Sequence, residues 1–310
     1  MSSACDHIRE SFRGELLENE LLSRHTSLKV GGPADIFAVP EDEDDLQALL
    51  TCLGRLGVPW MAIGRGYNLL VRDKGIRGAV ISLERFDRIE AVSPPHSYPL
   101  LDGEGAYIRA GAGAENLAVV RFAQERGLGG IGFISGIPGT VGGAIRMNAG
   151  AYGEGILHHT HCLTLLRQGE VREFCMTDLT YGYRHLELEP GDMVLAALFR
   201  MERREPHHTE EEIRRDLELR RSKHNVGFPS AGSFFKNPPG QAAWRLIDAA
   251  GMRGAVVGGA QVSQVHSNFL VNRGTATARD FLELAERVKA AVFTSSGVTL
   301  GEEVRIVGEE

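Results

Sequence analysis

None of the four cysteines, Cys5, Cys52, Cys162 and Cys175, stands in C-x-x-C spacing, so neither a zinc ribbon nor a redox dithiol is indicated. They read as reduced thiols of a cytosolic, cytoplasmic protein. The first residues, MSSACDHIRESFRGE, have no apolar core of a secretion signal. A sustained apolar run is missing too. The uncharged stretch Gly127 to Ile145 is 19 residues long, but eight are glycine and one is proline, so it reads as loop and strand rather than a membrane span. Basic charge is not in excess: 34 Lys+Arg against 41 Asp+Glu gives a net charge of −7. That balance argues against a nucleic-acid or membrane surface and leaves room for a local basic pocket. His158, His159, His161 and Cys162 offer an H-x-H pair, yet a zinc site needs three or four fixed ligands, and no metal is expected. No repeat or low-complexity tract is visible.

What the chain does have is glycine, 38 residues of it. The densest stretch is Ser135 to Gly150, SGIPGTVGGAIRMNAG. Glycine lets backbone approach a ligand closely, and concave sets of backbone N–H groups bind phosphate. The stretch reads as a loop wrapping a phosphate-bearing cofactor; tight turns between strands are the plainer alternative. A second loop, Gly64-Arg65-Gly66-Tyr67-Asn68-Leu69, follows an apolar strand. It is not a Rossmann fingerprint, because Leu69 stands where the third glycine would be and the residues beyond it have strand rather than helix character.

Length gives a prior of two or three domains. Residues 1–20 read as a short polar helix or arm. Glu41 to Gly57, Glu115 to Arg126, Gln241 to Ala250 and Thr277 to Phe293 have the periodicity and stops of helices. Asp35 to Val39, Val58 to Ile63, Gly78 to Leu83, Tyr107 to Gly113, Cys162 to Leu166, Val171 to Met176, Met193 to Met201 and Val298 to Val307 read as strands, and Val262 to Val271 as a strand pair. Residues 92–105 read as a loop and hairpin. Composition turns highly charged near Glu202, where Thr209 and Glu212 have capping-box spacing at the start of a helix.

Three spots combine polar groups with tight backbone: Thr180-Tyr181-Gly182-Tyr183-Arg184, Ala231-Gly232-Ser233-Phe234-Phe235-Lys236-Asn237, and Gly301-Glu302-Glu303-Val304-Arg305. Each alone fits a surface arginine, a capping serine or a solvated glutamate. In order, however, GRGYNLLVRD, SGIPGTVGGAIRMNAGAYG, YGYR, SAGSFFKNP and L-x-x-E-V-R resemble the UDP-N-acetylenolpyruvoylglucosamine reductase family over nearly the whole chain. No insertion separates Arg184 from Ser233, as in the family's shorter type II subclass.

The resemblance implies an α+β protein: a two-subdomain FAD-binding fold of the vanillyl-alcohol-oxidase type plus a C-terminal substrate-binding domain, divided as 1–84, 85–202 and 203–310. It implies FAD and NADPH, with Gly64, Arg65, Gly66, Tyr67, Asn68 and Leu69 and Ser135, Gly136, Ile137, Pro138, Gly139, Val141, Gly142 and Gly143 holding the flavin cofactor. Arg184, Ser233 and Glu303 would be catalytic, and Tyr183, Lys236, Asn237 and Gln261 would bind the UDP-sugar. The implied reaction reduces the enolpyruvyl ether of UDP-N-acetylglucosamine for peptidoglycan synthesis, in a monomer whose partners are small molecules. The chain departs from the family pattern at Tyr67, where serine is usual, and at His25, His224, Asn225 and Gly301. Another FAD oxidoreductase, or a nucleotide-binding protein without activity, stays open as an alternative; turnover of the enolpyruvyl sugar nucleotide and the visible spectrum discriminate them.

Overall fold

The computed structural model describes residues 2–92, 106–151 and 153–310. Helices and strands are mixed along the chain, an α+β pattern. Two compact units result: Met1–Leu16, Ala38–Gly64 and Val80–Glu218, and Leu17–Phe37, Arg65–Ala79 and Leu219–Glu310. The strands Pro33–Val39 and Ile76–Ser82 each continue from one unit into the other.

The first unit is built on an antiparallel sheet in the order Glu170–Cys175, Thr160–Arg167, Met193–Arg203, Ala106–Gly111, Ile89–Val92. Its central strand carries the run Met193 to Phe199, every residue buried, as a strand covered on both faces requires. The helix Asn116–Gln124 and the short helix Val141–Arg146 belong to its core, with Val119, Val120, Val141, Ile145, Leu163, Leu165 and Phe199 buried together. The helix Glu43–Leu56 starts where the Asp42 side chain accepts from the Asp45 amide and stops at Gly57, φ +65°. Leu46, Leu49 and Leu53 are its fully buried stripe.

The second unit contains the antiparallel sheet Ser230–Ser233, Phe269–Asn272, Ala260–Val262, Val256–Val257. The helices Ala243–Ala249 and Ala278–Ser296 share its core through Ile247, Phe281, Leu284 and Val288. A separate parallel pair joins Leu69–Val71 to Arg305–Val307.

Several elements differ from expectation. Residues 1–20 form a helix, Ser2–Arg9, and then a strand, Glu15–Leu21, rather than a single arm. Gly127 to Ile145 contains a 3-10 turn, Gly132–Gly136, and the start of a helix beside the brief strand Leu128–Gly129. Thr209 does not cap: the charged helix begins three residues earlier at Pro206, whose missing N–H and fixed φ suit a first turn. Thr209 is instead buried inside it, and Glu212 pairs with Arg204. The last strand is only Arg305–Val307, and ahead of it Glu302 makes an isolated bridge to Phe235. The expected hairpin of residues 92–105 lies, from residue 93 on, outside the described residues.

Candidate active site

In the first unit the two glycine loops meet at Gly64 and Thr140: a Cβ on Gly64 would stand 2.7 Å from the Thr140 hydroxyl. The loop Ser135 to Gly143 is fixed by its own backbone. Its Val141 and Gly142 amides donate to Ala114 and Ala112 carbonyls (2.8 and 2.9 Å), and the Ile137 amide to Ile134. Those three donors are therefore engaged within the protein. Asn116 ties down the Ile137 carbonyl through Nδ2 (3.0 Å). Gly139 needs φ +127°, and a Cβ on Gly142 would press on Ala112 at 2.8 Å. Pro138 and Gly136 are half-buried, and Gly143 is exposed. Ser135 is only 5% exposed, and among the described residues its hydroxyl has no hydrogen-bond partner, nor has Asn116 Oδ1.

Arg184 occupies a two-residue turn between Tyr181–Gly182 and His185–Leu186, with φ +54°. Its guanidinium donates to the carbonyls of Asn148 (3.3 Å) and Gly150 (2.9 Å) and stacks 5.2 Å from the Tyr183 ring. Tyr183 itself is exposed. Two side chains pin this hairpin: Asn148 Nδ2 donates to the Gly182 carbonyl (2.8 Å) and Arg146 to the Leu186 carbonyl (2.9 Å). Asn148 Oδ1 also accepts from the Leu157 amide (3.2 Å).

In the second unit three segments come together. The parallel pairing of Leu69 with Arg305 puts the end of the Arg65 to Leu69 loop beside the residues just before Arg305. Asn68 then bonds twice: its Nδ2 donates to the Glu303 carbonyl (3.0 Å) and its carbonyl accepts from the Arg305 amide (3.1 Å). The Phe234 carbonyl takes the amides of Glu303 (2.8 Å) and Val304 (3.3 Å), so the chain at Glu303 adjoins the residue after Ser233. Ser233 is aimed by a bulge. Ser230 pairs with Val271 and Ser233 with Phe269, three steps against two, with Gly232 at φ +77° inside it. Ser233 and Glu303 are both half-buried. Gly66 holds φ +62° so tightly against His25 that a Cβ would fall 2.2 Å from the His25 carbonyl oxygen.

The remaining expected ligand residues are mixed. Arg65, Tyr67 and Lys236 are exposed. Asn237 Oδ1 accepts from the Ala243 amide at the start of a helix (3.0 Å), and Gln261 Nε2 donates to the Gly254 carbonyl (3.2 Å). Leu69 is buried in its strand. The histidines diverge: His159 faces Glu154 (3.3 Å), and His161 packs on Tyr107, where burial pulls its pKa below 6.5. Among the described residues no group of three His, Cys, Asp or Glu side chains could hold a metal, and no helix is long and apolar enough to cross a membrane.

Sequence reasoning missed Asn148, Asn268 and Arg220. Asn268 is 3% exposed and clamps Phe235 from both sides, accepting from its amide (3.0 Å) and donating to its carbonyl (2.8 Å). An asparagine directly ahead of the apolar run Phe269-Leu270-Val271 was its available signal. Arg220 is partly desolvated, which pulls its guanidinium pKa down, while Tyr67 of the Gly64 to Leu69 loop acts in the opposite direction.

Known proteins match along the same lines. A family model described as UDP-N-acetylenolpyruvoylglucosamine reductase, C-terminal domain, covers residues 223–307, and one described as FAD binding domain covers residues 34–174. The UDP-N-acetylenolpyruvoylglucosamine reductase of Pelobacter propionicus is 72% identical, over 97% of this chain and 98% of its own. That of Geobacter metallireducens is 53% identical, over 98% and 97%. The crystal structure of the Thermus caldophilus reductase superposes with a TM-score of 0.77 at 32% identity, over 95% of this chain and 98% of that one. The chain belongs to the UDP-N-acetylenolpyruvoylglucosamine reductase family, as an FAD-dependent oxidoreductase that reduces that enolpyruvyl sugar nucleotide.

Proposed function

We propose that the chain works in two half-reactions, with NADPH as reductant in the first and with Arg184, Ser233 and Glu303 acting on the enolpyruvyl sugar in the second. The residues present fit FAD. The Ser135 hydroxyl and Asn116 Oδ1 are buried without partners among the described residues, as groups awaiting a polar ligand are. Gly64 and Gly143, both beside Thr140, carry no side chain that would obstruct one. Bound FAD supplies hydride transfer, from NADPH to the CH₂ carbon of the enolpyruvyl group.

The protein's part is charge and proton. Hydride arriving at the CH₂ carbon leaves negative charge on the neighbouring carbon and its carboxylate. The Arg184 guanidinium, held by two carbonyls, is preorganised to balance that charge. Glu303 helps only if it carries or shares a proton when the charge develops. Ser233 delivers the proton to the carbon; a hydroxyl is a weak acid, so its value is position. Lys236 takes the diphosphate, and Asn237 Nδ2 and Gln261 Oε1, the amide atoms not used above, take the nucleotide and sugar. Residues 203–310 form the substrate-binding part, and the enzyme is a cytoplasmic monomer with neither nucleic acid nor membrane as partner.

The observation that supports this reading is the Phe234 carbonyl bound by the Glu303 and Val304 amides, a backbone contact between the chain at Glu303 and the residue after Ser233. Stopped-flow absorbance tests it. Ser233→Ala keeps flavin reduction by NADPH within about twofold and slows reoxidation by the sugar nucleotide by roughly 10²-fold or more. Equal slowing of both halves removes Ser233 from the role.

A further inference from the structure

We propose that Cys162 and Cys175 are a dithiol–disulfide pair, a reversible modification site entered through Cys175. The hairpin Thr160–Arg167 to Glu170–Cys175 turns on Gln168 and Gly169, at φ +52° and +81°. A two-residue turn of this kind fixes the register without slack. Arg167 faces Glu170, and the pairing runs unbroken to Cys162 facing Cys175.

In such a hairpin the residues flanking the turn exchange hydrogen bonds, and bonded and non-bonded pairs alternate from there. Arg167 with Glu170, Leu165 with Arg172 and Leu163 with Phe174 are the bonded pairs. Leu166 with Val171, Thr164 with Glu173 and Cys162 with Cys175 are the non-bonded ones. At non-bonded pairs the Cα atoms stand about 4.5 Å apart and side chains are closest. That separation falls inside the range of about 4.4 to 6.8 Å that a disulfide spans. The two sulfurs are 3.4 Å apart, so oxidation needs little backbone movement.

The two thiols are not equivalent. Cys162 is fully buried, in a cluster with Tyr107 and Leu198, whereas Cys175 ends the edge strand and is partly exposed. An oxidant of the low-molecular-weight disulfide class, such as oxidised glutathione, therefore meets Cys175 first. The Cys175 thiolate attacks one sulfur of that disulfide, its S–S bond breaks, and one thiol leaves. Cys162, deprotonated, then attacks the Cys175 sulfur of the mixed disulfide, and the second thiol leaves. Two protein thiols lose two electrons and two protons in all, and one small disulfide becomes two thiols.

The test is oxidised glutathione on the whole protein, followed by thiol titration after unfolding, intact mass and a non-reducing peptide map. Titratable thiols fall from four to two, and the map shows one link, Cys162 to Cys175, reversed by dithiothreitol. Cys162→Ser stops at a stable glutathione adduct on Cys175, while Cys175→Ser gains none at Cys162. Cys162→Ala serves as a second variant should the buried serine hydroxyl unfold the chain. Four surviving thiols, a link through Cys5 or Cys52, or an adduct on Cys162 in Cys175→Ser each overturn the proposal.

Discussion

Asn148 sits at φ +40° with its side chain buried between two segments. Its amide holds the hairpin that carries Arg184, and its own carbonyl accepts from the Arg184 guanidinium. Replacing it with glycine deletes the amide while keeping a residue that tolerates positive φ. Asn148→Gly therefore slows the substrate half-reaction by about 10- to 100-fold through misplacement of Arg184 and leaves reduction by NADPH unchanged. In an Arg184→Ala background the same change adds nothing, because both act through one group; additive losses in stopped-flow rates would separate them. Tyr67 poses a different question. An exposed phenol stands where the family usually has serine, in the loop whose Gly66 admits no side chain. Tyr67→Ser tightens FAD binding, read by quenching of flavin fluorescence, if the ring obstructs the cofactor as its bulk implies. Weaker binding would make the phenol a ligand. The motifs around Arg184, Ser233 and Glu303 stand in the sequence as an ordered set, and the roles proposed for those residues rest on that order. Asn148 was not, since an asparagine in a polar stretch gives no sign of which distant carbonyl it will bind.

Elements were legible where local chemistry decides them. The helix Ala278–Ser296 opens at the expected Thr277, which forms a reciprocal capping box with Asp280. Burial works against the Asp280 carboxylate. The Thr277 and Gly259 amides and the Thr277 hydroxyl outweigh it and hold its pKa below the ordinary 3.8. Gly258, at φ +51°, leaves the carboxylate room; a Cβ there would stand 2.3 Å from it. A depressed folded pKa stabilises above the unfolded value and is lost as pH falls through the folded one. Asp280→Ala thus costs about 1 kcal/mol near pH 7, and its deficit in urea unfolding narrows as pH drops below about 4. A deficit that persists unchanged in acid would place the effect in packing instead. Thr209 and Glu212 have the same spacing and form no box, because Pro206 starts the helix earlier and Arg204 claims Glu212. The glycine-rich stretch hid its 3-10 turn and helix start for a related reason. Glycine permits many backbones, and only the partners at Ala112, Ala114 and Asn116 select one.

At the scale of the molecule, chain order and spatial order diverge. Each compact unit is assembled from three stretches of the chain. The parallel pair Leu69–Val71 with Arg305–Val307 shows why: it joins residues more than two hundred positions apart, and no local pattern encodes the partner. For the proposed reaction, groups carried by different stretches must meet one substrate. A crystal structure of the FAD-loaded protein with the enolpyruvyl sugar nucleotide is the direct measurement. The account predicts the Arg184 guanidinium on the substrate carboxylate, the Ser233 hydroxyl facing the carbon to be protonated, the Glu303 carboxyl beside it, and the Ser135 hydroxyl bonded to FAD. Arg184 turned away from a substrate that Ser233 and Glu303 do touch, or FAD held without either glycine loop, would contradict it.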